Sequence, residues 1–362
     1  WGGQDNQQAT DLLTIQTHIA KAITEKLVPR LSPEQEQQLT RRYTENTEAY
    51  QLYLRGRYHW NKRSAEGFQK AIDYFHQAID MDPTYALAYA GLADTYVVQP
   101  SWGLMASDEA FPKAKAAARR ALQMDENLAE AYATLGLALR EYDWDWAGAE
   151  QAFGRALELN PNYATAHHWY AWALSDLGRH EEAIAEIKRA QELDPLSLII
   201  SRNVATMLWR ARRYDEAIEK AEKALQLDPD FAATHTVLGL AYVEKEMYEQ
   251  AIAELEKAKA LSGNRPSFSL AYAYARAGKR TEALRELEGL LELAKREYTY
   301  LGGIAFVYGA LGEKDRAFEW LERAYRERGH HMARLKVDPS FDSLRDDPRF
   351  QDLLRRVGLP ED

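Results

Sequence analysis

The chain has 362 residues, a net charge of −10 and 46% hydrophobic residues, a composition that is globular and too long for one compact core. The negative charge makes duplex DNA and anionic membrane poor default partners. The absence of cysteine excludes disulfides, zinc–thiolate sites and thiol catalysis, and no run of 18 or more apolar residues is present to span a bilayer.

The first residue is Trp1, and no signal-peptide pattern follows. The chain therefore reads as a fragment, with residues 1–46 as an amphipathic helix and linker from an upstream domain. Leu12, Ile15, Ile19, Ile23 and Leu27 share one face of a helix over 9–28. Pro29 ends it, and Ser32-Pro33-Glu34 opens a short second helix. A membrane-surface role would want more flanking cations than Lys21, Lys26 and Arg30. The expectation is a helix that packs on protein.

From residue 47 the sequence repeats. Pro161, Pro195 and Pro229 stand 34 residues apart, closing the phrases Glu158-Leu159-Asn160-Pro161, Glu192-Leu193-Asp194-Pro195 and Gln226-Leu227-Asp228-Pro229. A fixed period of this length is the signature of stacked helix–turn–helix units. Before each proline, small residues recur: Ala149 and Ala156 around Phe153, Ala183 and Ala190 around Ile187, then Ala217, Ala221 and Ala224. Alanine lets the second helix of a unit approach the first, and the large residue fills the space beside it. The first helices repeat Tyr132, Leu135, Gly136 and Leu139 as His235, Leu238, Gly239 and Tyr242, one apolar helix face. Gly178, Gly278 and Gly312 fall at the turns between helices, where a left-handed residue stops the first helix.

These residues resemble the tetratricopeptide repeat family. The resemblance implies an all-α fold, a right-handed α-solenoid of eight units over 47–328, followed by a loop and a C-terminal capping helix in 329–362. The units run about 47–85, 86–128, 129–163, 164–197, 198–231, 232–263, 264–297 and 298–328. The register departs from the period between Pro83 and Pro161, which lie 78 residues apart. Nine of the ten extra residues fall around Gln99-Pro100-Ser101-Trp102-Gly103-Leu104 in the second unit, and one falls in the third at Asp143-Trp144-Asp145-Trp146. The loop at 98–110 is either drift or a partner contact, Trp102 being its only argument for contact. At the far end, Phe350, Leu353, Leu354 and Val357 give a helix that covers the open end of the stack.

Arg42 to Tyr50, Leu52 to Asn61 and Ala86 to Asp94 are also similar to the C-terminal repeat regions of multidomain bacterial signalling proteins. That resemblance implies a regulatory role, with a DNA-binding domain, nucleotide cyclase or Ser/Thr kinase upstream. It leaves the compartment open between cytoplasm and, behind a membrane helix, periplasm.

Catalytic chemistry is not legible. No phosphate-cradling loop, nucleophile elbow or kinase signature occurs, so the chain is read as non-enzymatic and without cofactor. Asp143 and Asp145 read as helix caps. The pairs His167-His168 and His330-His331 point about 100° apart on a helix, which disfavours a shared metal. The resemblance implies instead that the first helices line a concave groove for a peptide or protein segment. Projected onto this sequence, the groove is His168, Trp172, Arg202, Asn203, Thr206, Trp209, Arg210, Tyr272, Arg276 and Phe306. Aromatics with arginine are the types that concentrate binding energy. The partner would carry aliphatic or aromatic anchors and some acid, with no nucleic acid contact and no membrane insertion by this region. The cluster Arg210, Arg212 and Arg213 could touch phosphate, but Asp215, Glu216 and Glu219 follow at once, and the expectation is a solvated, locally balanced face.

Overall fold

The computed structural model describes residues 43–295 and 301–359. The predicted helix over 9–28 and the Ser32 start signal lie outside the described residues. Within them the chain is all-α, with helices paired as hairpins. In order these are α1 (Thr47–Asn61) and α2 (Ala65–Met81), α3 (Ala86–Val98) and α4 (Ser107–Met124), α5 (Ala129–Ala138) and α6 (Trp146–Leu159), and α7 (Ala164–Asp176) and α8 (His180–Leu193). They continue with α9 (Leu198–Arg210) and α10 (Tyr214–Leu225), α11 (Ala232–Glu244) and α12 (Tyr248–Leu261), α13 (Phe268–Arg276) and α14 (Arg280–Leu293), and α15 (Leu301–Ala310) and α16 (Lys314–Arg326). Two 3₁₀ turns, His330–Arg334 and Pro339–Leu344, lead to the last helix, α17 (Pro348–Val357).

The repeating proline phrase has a direct structural cause. The Asp or Asn before three of the prolines accepts the backbone N–H two residues on: Asp82 before Pro83 from Thr84 at 3.0 Å, Asn160 from Asn162 at 3.1 Å and Asp228 from Asp230 at 2.9 Å. Proline fits between them because its missing N–H is not needed there. Side-chain caps start several helices, with Asn46 serving α1, Ser64 α2, Asp145 α6, Ser197 α9 and Asp347 α17.

The turn inside each hairpin is equally regular. Gly178, Gly278 and Gly312 have φ of +82°, +75° and +80°. The same turn position is held by Trp144, Arg212 and Glu246, with φ of 57°, 60° and 59°. A side chain in this region costs on the order of 1 kcal/mol. Glu246→Gly is therefore expected to stabilise the chain by about 0.5–1 kcal/mol, read as a raised urea midpoint.

The chain divides into two compact bodies. One comprises α1, α2, α3 as far as Thr95, and the end of α4 with its following turn, residues 116–128. Its centre is the buried ring of Phe75: a Cβ added at Gly56 or at Gly91 would come within 2.5 Å of that ring. Glycine on both facing helices is what lets the phenylalanine sit between them. Trp60 donates to the Asp94 carbonyl at 3.3 Å, and Arg57 pairs with the Asp94 carboxylate at 2.8 Å.

The second body holds residues 96–115 and everything from Ala129 onward. Its hairpins pack as the sequence pattern requires. Ala149, Phe153 and Ala156 on α6 are fully buried, as are Ile187 and Ala190 on α8 and Ala217 and Ala221 on α10. Gly239 on α11 faces Leu255 on α12 so closely that a Cβ would lie 2.5 Å from it. α17 closes the end of this body, burying Phe350, Leu353, Leu354 and Val357 in one cluster with Phe318 and Leu321 of α16.

The two sequence insertions end differently. The long one forms a 3₁₀ turn, Pro100–Trp102, and a loop into α4, with Trp102 38% exposed. The single extra residue of the third unit does not lengthen the loop. It is absorbed as a π-helical turn over Leu139–Asp143 at the end of α5, the form in which one residue is added inside a helix.

Candidate functional site

The π-turn turns two charged residues inward. Arg140 is 2% exposed and Glu141 6%. Arg140 donates from Nε to the Asp176 carboxylate at 2.6 Å and from Nη1 to Glu141 at 2.8 Å. Asp176, at the end of α7 and fully buried, also accepts from Arg210 Nη1 at 2.7 Å. One carboxylate thus joins arginines from α5 and α9 across α7. The Arg210 guanidinium also lies 4.3 Å from the centre of the Trp172 ring, in cation–π range. Burial works to raise the Glu141 carboxyl, but His330, 3.1 Å away, and Arg140 hold it down to about 2.

His330 belongs to the segment after the last hairpin, and that segment lies against α7 and α15. His331 is packed so closely on α15 that a Cβ at Gly302 would fall 2.3 Å from its own Cβ. Phe341 meets the edge of Phe306 at 5.7 Å between ring centres. Asp342 takes both ends of the Arg212 guanidinium, at 2.6 and 2.8 Å. Met332, Leu335, Phe341 and Leu344 are all fully buried. Each such side chain contributes about 1.5–3 kcal/mol when removed from water. The inner face is therefore occupied by the chain's own residues 330–344.

The ten residues projected onto that face divide into two groups and one outlier. His168 accepts from the Trp172 indole at 3.2 Å and contacts the Asn203 amide. Arg202 reaches Thr206 Oγ1 at 3.5 Å, and Arg210 stacks on Trp172. These six, on α7 and α9, form one cluster. The second is Tyr272, which donates to Glu244 at 3.0 Å and accepts from Arg276 at 2.7 Å, with Phe306 edge-on at 5.4 Å. Trp209 stands apart, 3% exposed within the hydrophobic core of α7 to α11. Arg210, Arg212 and Arg213, read as one solvated face, go three ways: Arg210 inward to Asp176, Arg212 across to Asp342, and only Arg213 to surface acids, Glu216 and Glu181. Sequence reading missed Arg140, Glu141 and Asp176. Their one signal was the single-residue break in the period.

His167 and His235 tie their hairpins together in the same way. His167 Nδ1 meets Glu186 at 2.5 Å and its Nε2 the Pro161 carbonyl at 3.0 Å. His235, 68 residues on, repeats this with Glu254 at 2.5 Å and Pro229 at 2.9 Å. Burial opposes the charged form of His167, but Glu186 and the carbonyl outweigh it and raise its pKa above 6.5. A raised pKa gives stability that is complete below 6.5 and lost as pH climbs through the folded value. Unfolding midpoints are expected to fall over that window, and Glu186→Gln is expected to flatten the fall. Among the described residues no group of three or more His, Asp or Glu is placed to hold a metal ion, and no helix is long and apolar enough to cross a membrane.

A row of helical hairpins with close-packed small residues and a peptide-covered inner face defines an all-α repeat scaffold. Residues 145–199 and 208–273 match the tetratricopeptide repeat family model, so these two stretches carry tetratricopeptide repeats. Over 144 residues it is 30% identical to the transcriptional regulator HilA of Salmonella typhimurium, a match covering 40% of this chain. The chain spans 26% of that regulator's length. The yeast Tom70 structure aligns with 97% of this chain and 79% of its own, at 16% identity and a TM-score of 0.50. The human IFIT1 dimer with m7Gppp-AAAA aligns with 87% of this chain and 76% of its own, at 17% identity and a TM-score of 0.54. At these identities the structures share the fold alone. The tetratricopeptide fold is typical of protein–protein interaction scaffolds.

Proposed function

We propose that the chain is a non-catalytic scaffold that receives a peptide or protein segment on the inner faces of α7, α9, α13 and α15. The receiving residues are His168, Trp172, Arg202, Asn203, Thr206, Arg210, Tyr272, Arg276 and Phe306, with Trp209 backing them from the core. The observation that supports this reading is the segment 330–344. Its own aliphatic and aromatic anchors, beside an aspartate paired with arginine, are the chemistry expected of a partner. A partner of the same character competes for the same surface. Site-specific photo-crosslinkers at Trp172 and Arg276 are expected to capture the partner in the native host, while one at Glu219 on α10 captures nothing. Crosslinks from Glu219 alone would overturn the reading.

A second reading has the repeats acting within their own polypeptide, on an upstream effector domain. The similarity to the HilA regulator favours it. The expected result is a coding sequence that continues upstream of Trp1 into such a domain; a start codon directly before Trp1 would sink it.

A further inference from the structure

We propose that the floor of the inner face binds a small oxyanion, a phosphate or a carboxylate, held by Arg202 and Arg210 of α9 and Arg334 of the covering segment. The first observation is unused donors. Arg210 is 1% exposed, and its Nη1 serves Asp176 and Ser175. Its Nε and Nη2 are sealed from solvent with no acceptor among the described residues. Those two N–H groups are an edge of the guanidinium that grips an oxyanion two-pronged. Arg202 has the same fault: its Nε is sealed and unpartnered, and its one hydrogen bond is the 3.5 Å contact with Thr206.

The second observation is charge. Arg140, Arg202, Arg210 and Arg334 face Glu141, Asp176 and Asp338, and every carboxylate is already committed. Asp176 holds Arg140 and Arg210, Glu141 holds Arg140 and His330, and Asp338 pairs with Arg334 at 3.3 Å. No described carboxylate lies within ion-pair distance of Arg202. Burial, then the nearby Arg334 and Arg210, push the Arg202 guanidinium down to about 10. Arg210 is pushed down to about 10 by burial too, against the pull of Asp176. An excess cation that is partly buried, as Arg202 is, is costly unless something anionic meets it. One oxyanion between the two α9 arginines supplies acceptors for the idle N–H groups and cancels the excess. Because Arg334 comes from the covering segment, a bound anion also fastens that segment to α9.

The test is thermal unfolding of the full chain at constant ionic strength, with sodium chloride exchanged for phosphate in one arm and for succinate in the other. A saturating rise in midpoint of about 2–5 °C is expected in at least one arm, and the responding arm identifies phosphate or carboxylate. Arg202→Met is expected to abolish the rise while unfolding in chloride at or above the wild-type midpoint, because it removes an unpaired charge. Arg202→Lys keeps the charge but not the fork, and is expected to weaken the response at least tenfold in concentration. The proposal is overturned if neither anion acts beyond chloride, or if Arg202→Met keeps the saturating rise. It also fails if Arg202→Met alone lowers the chloride midpoint by several degrees, which would make Arg202 a structural pillar.

Discussion

Replacing Asp176 with Asn is expected to cost about 3–5 kcal/mol, the range for stripping one partner from a buried ion pair. Asp176 is fully buried and is the carboxylate shared by Arg140 and Arg210. Its amide analogue would leave two guanidiniums enclosed with little to neutralise them. Urea unfolding followed by circular dichroism checks the figure. The companion variant removes the shared carboxylate with both of its arginines: Arg140→Met, Asp176→Leu and Arg210→Met together are expected to recover most of the loss, with Glu141 left to its pair with His330. If the triple variant is as unstable as Asp176→Asn, shape rather than charge governs the site.

The second large effect lies in the covering segment. Phe341→Ala is expected to cost about 3–5 kcal/mol, as for other fully buried phenylalanines. Its ring touches Phe306 on one side and Phe350 of α17 on the other, at 5.7 and 6.1 Å between centres. Amide exchange should accelerate first over 330–344. Arg212→Ala is the control. Its pair with Asp342 has good geometry, yet the two side chains are 49% and 37% exposed, and such pairs contribute about 1 kcal/mol or less. If Arg212→Ala frees the segment as fully as Phe341→Ala, the aromatic anchor is not what holds it.

These two sites also show what the sequence could express. Hairpin packing was legible because it is periodic: Ala, Leu and Gly at fixed offsets leave a pattern that survives without coordinates. The covering segment is not periodic. Its two 3₁₀ turns bury Met332, Leu335, Phe341 and Leu344 at irregular spacing, so 329–346 read as a plain loop. Asp176 was passed over because one aspartate on a first helix looks solvated until its neighbours on α5 and α9 are known. Arg212 was read by its sequence neighbours, Asp215 and Glu216, although its partner lies 130 residues away. Projection of the inner face did find real neighbours, such as Trp172 with Arg210 and Tyr272 with Arg276. It carried no information on what lies over them.

Repeat proteins ordinarily fold and diverge as open chains, gaining or losing units because each touches only the next. The second body of this molecule has given up that freedom. The Trp146 indole donates to the Val357 carbonyl at 3.0 Å across 211 positions of sequence, and His330 reaches Glu141 across 189. Adding or deleting one hairpin between those points would pull both contacts out of register. The number of units there is thus fixed by closure. Contacts this distant in sequence also slow folding and tie the ends into one cooperative transition. Unlike an open array, this body cannot fray from its C-terminus one hairpin at a time.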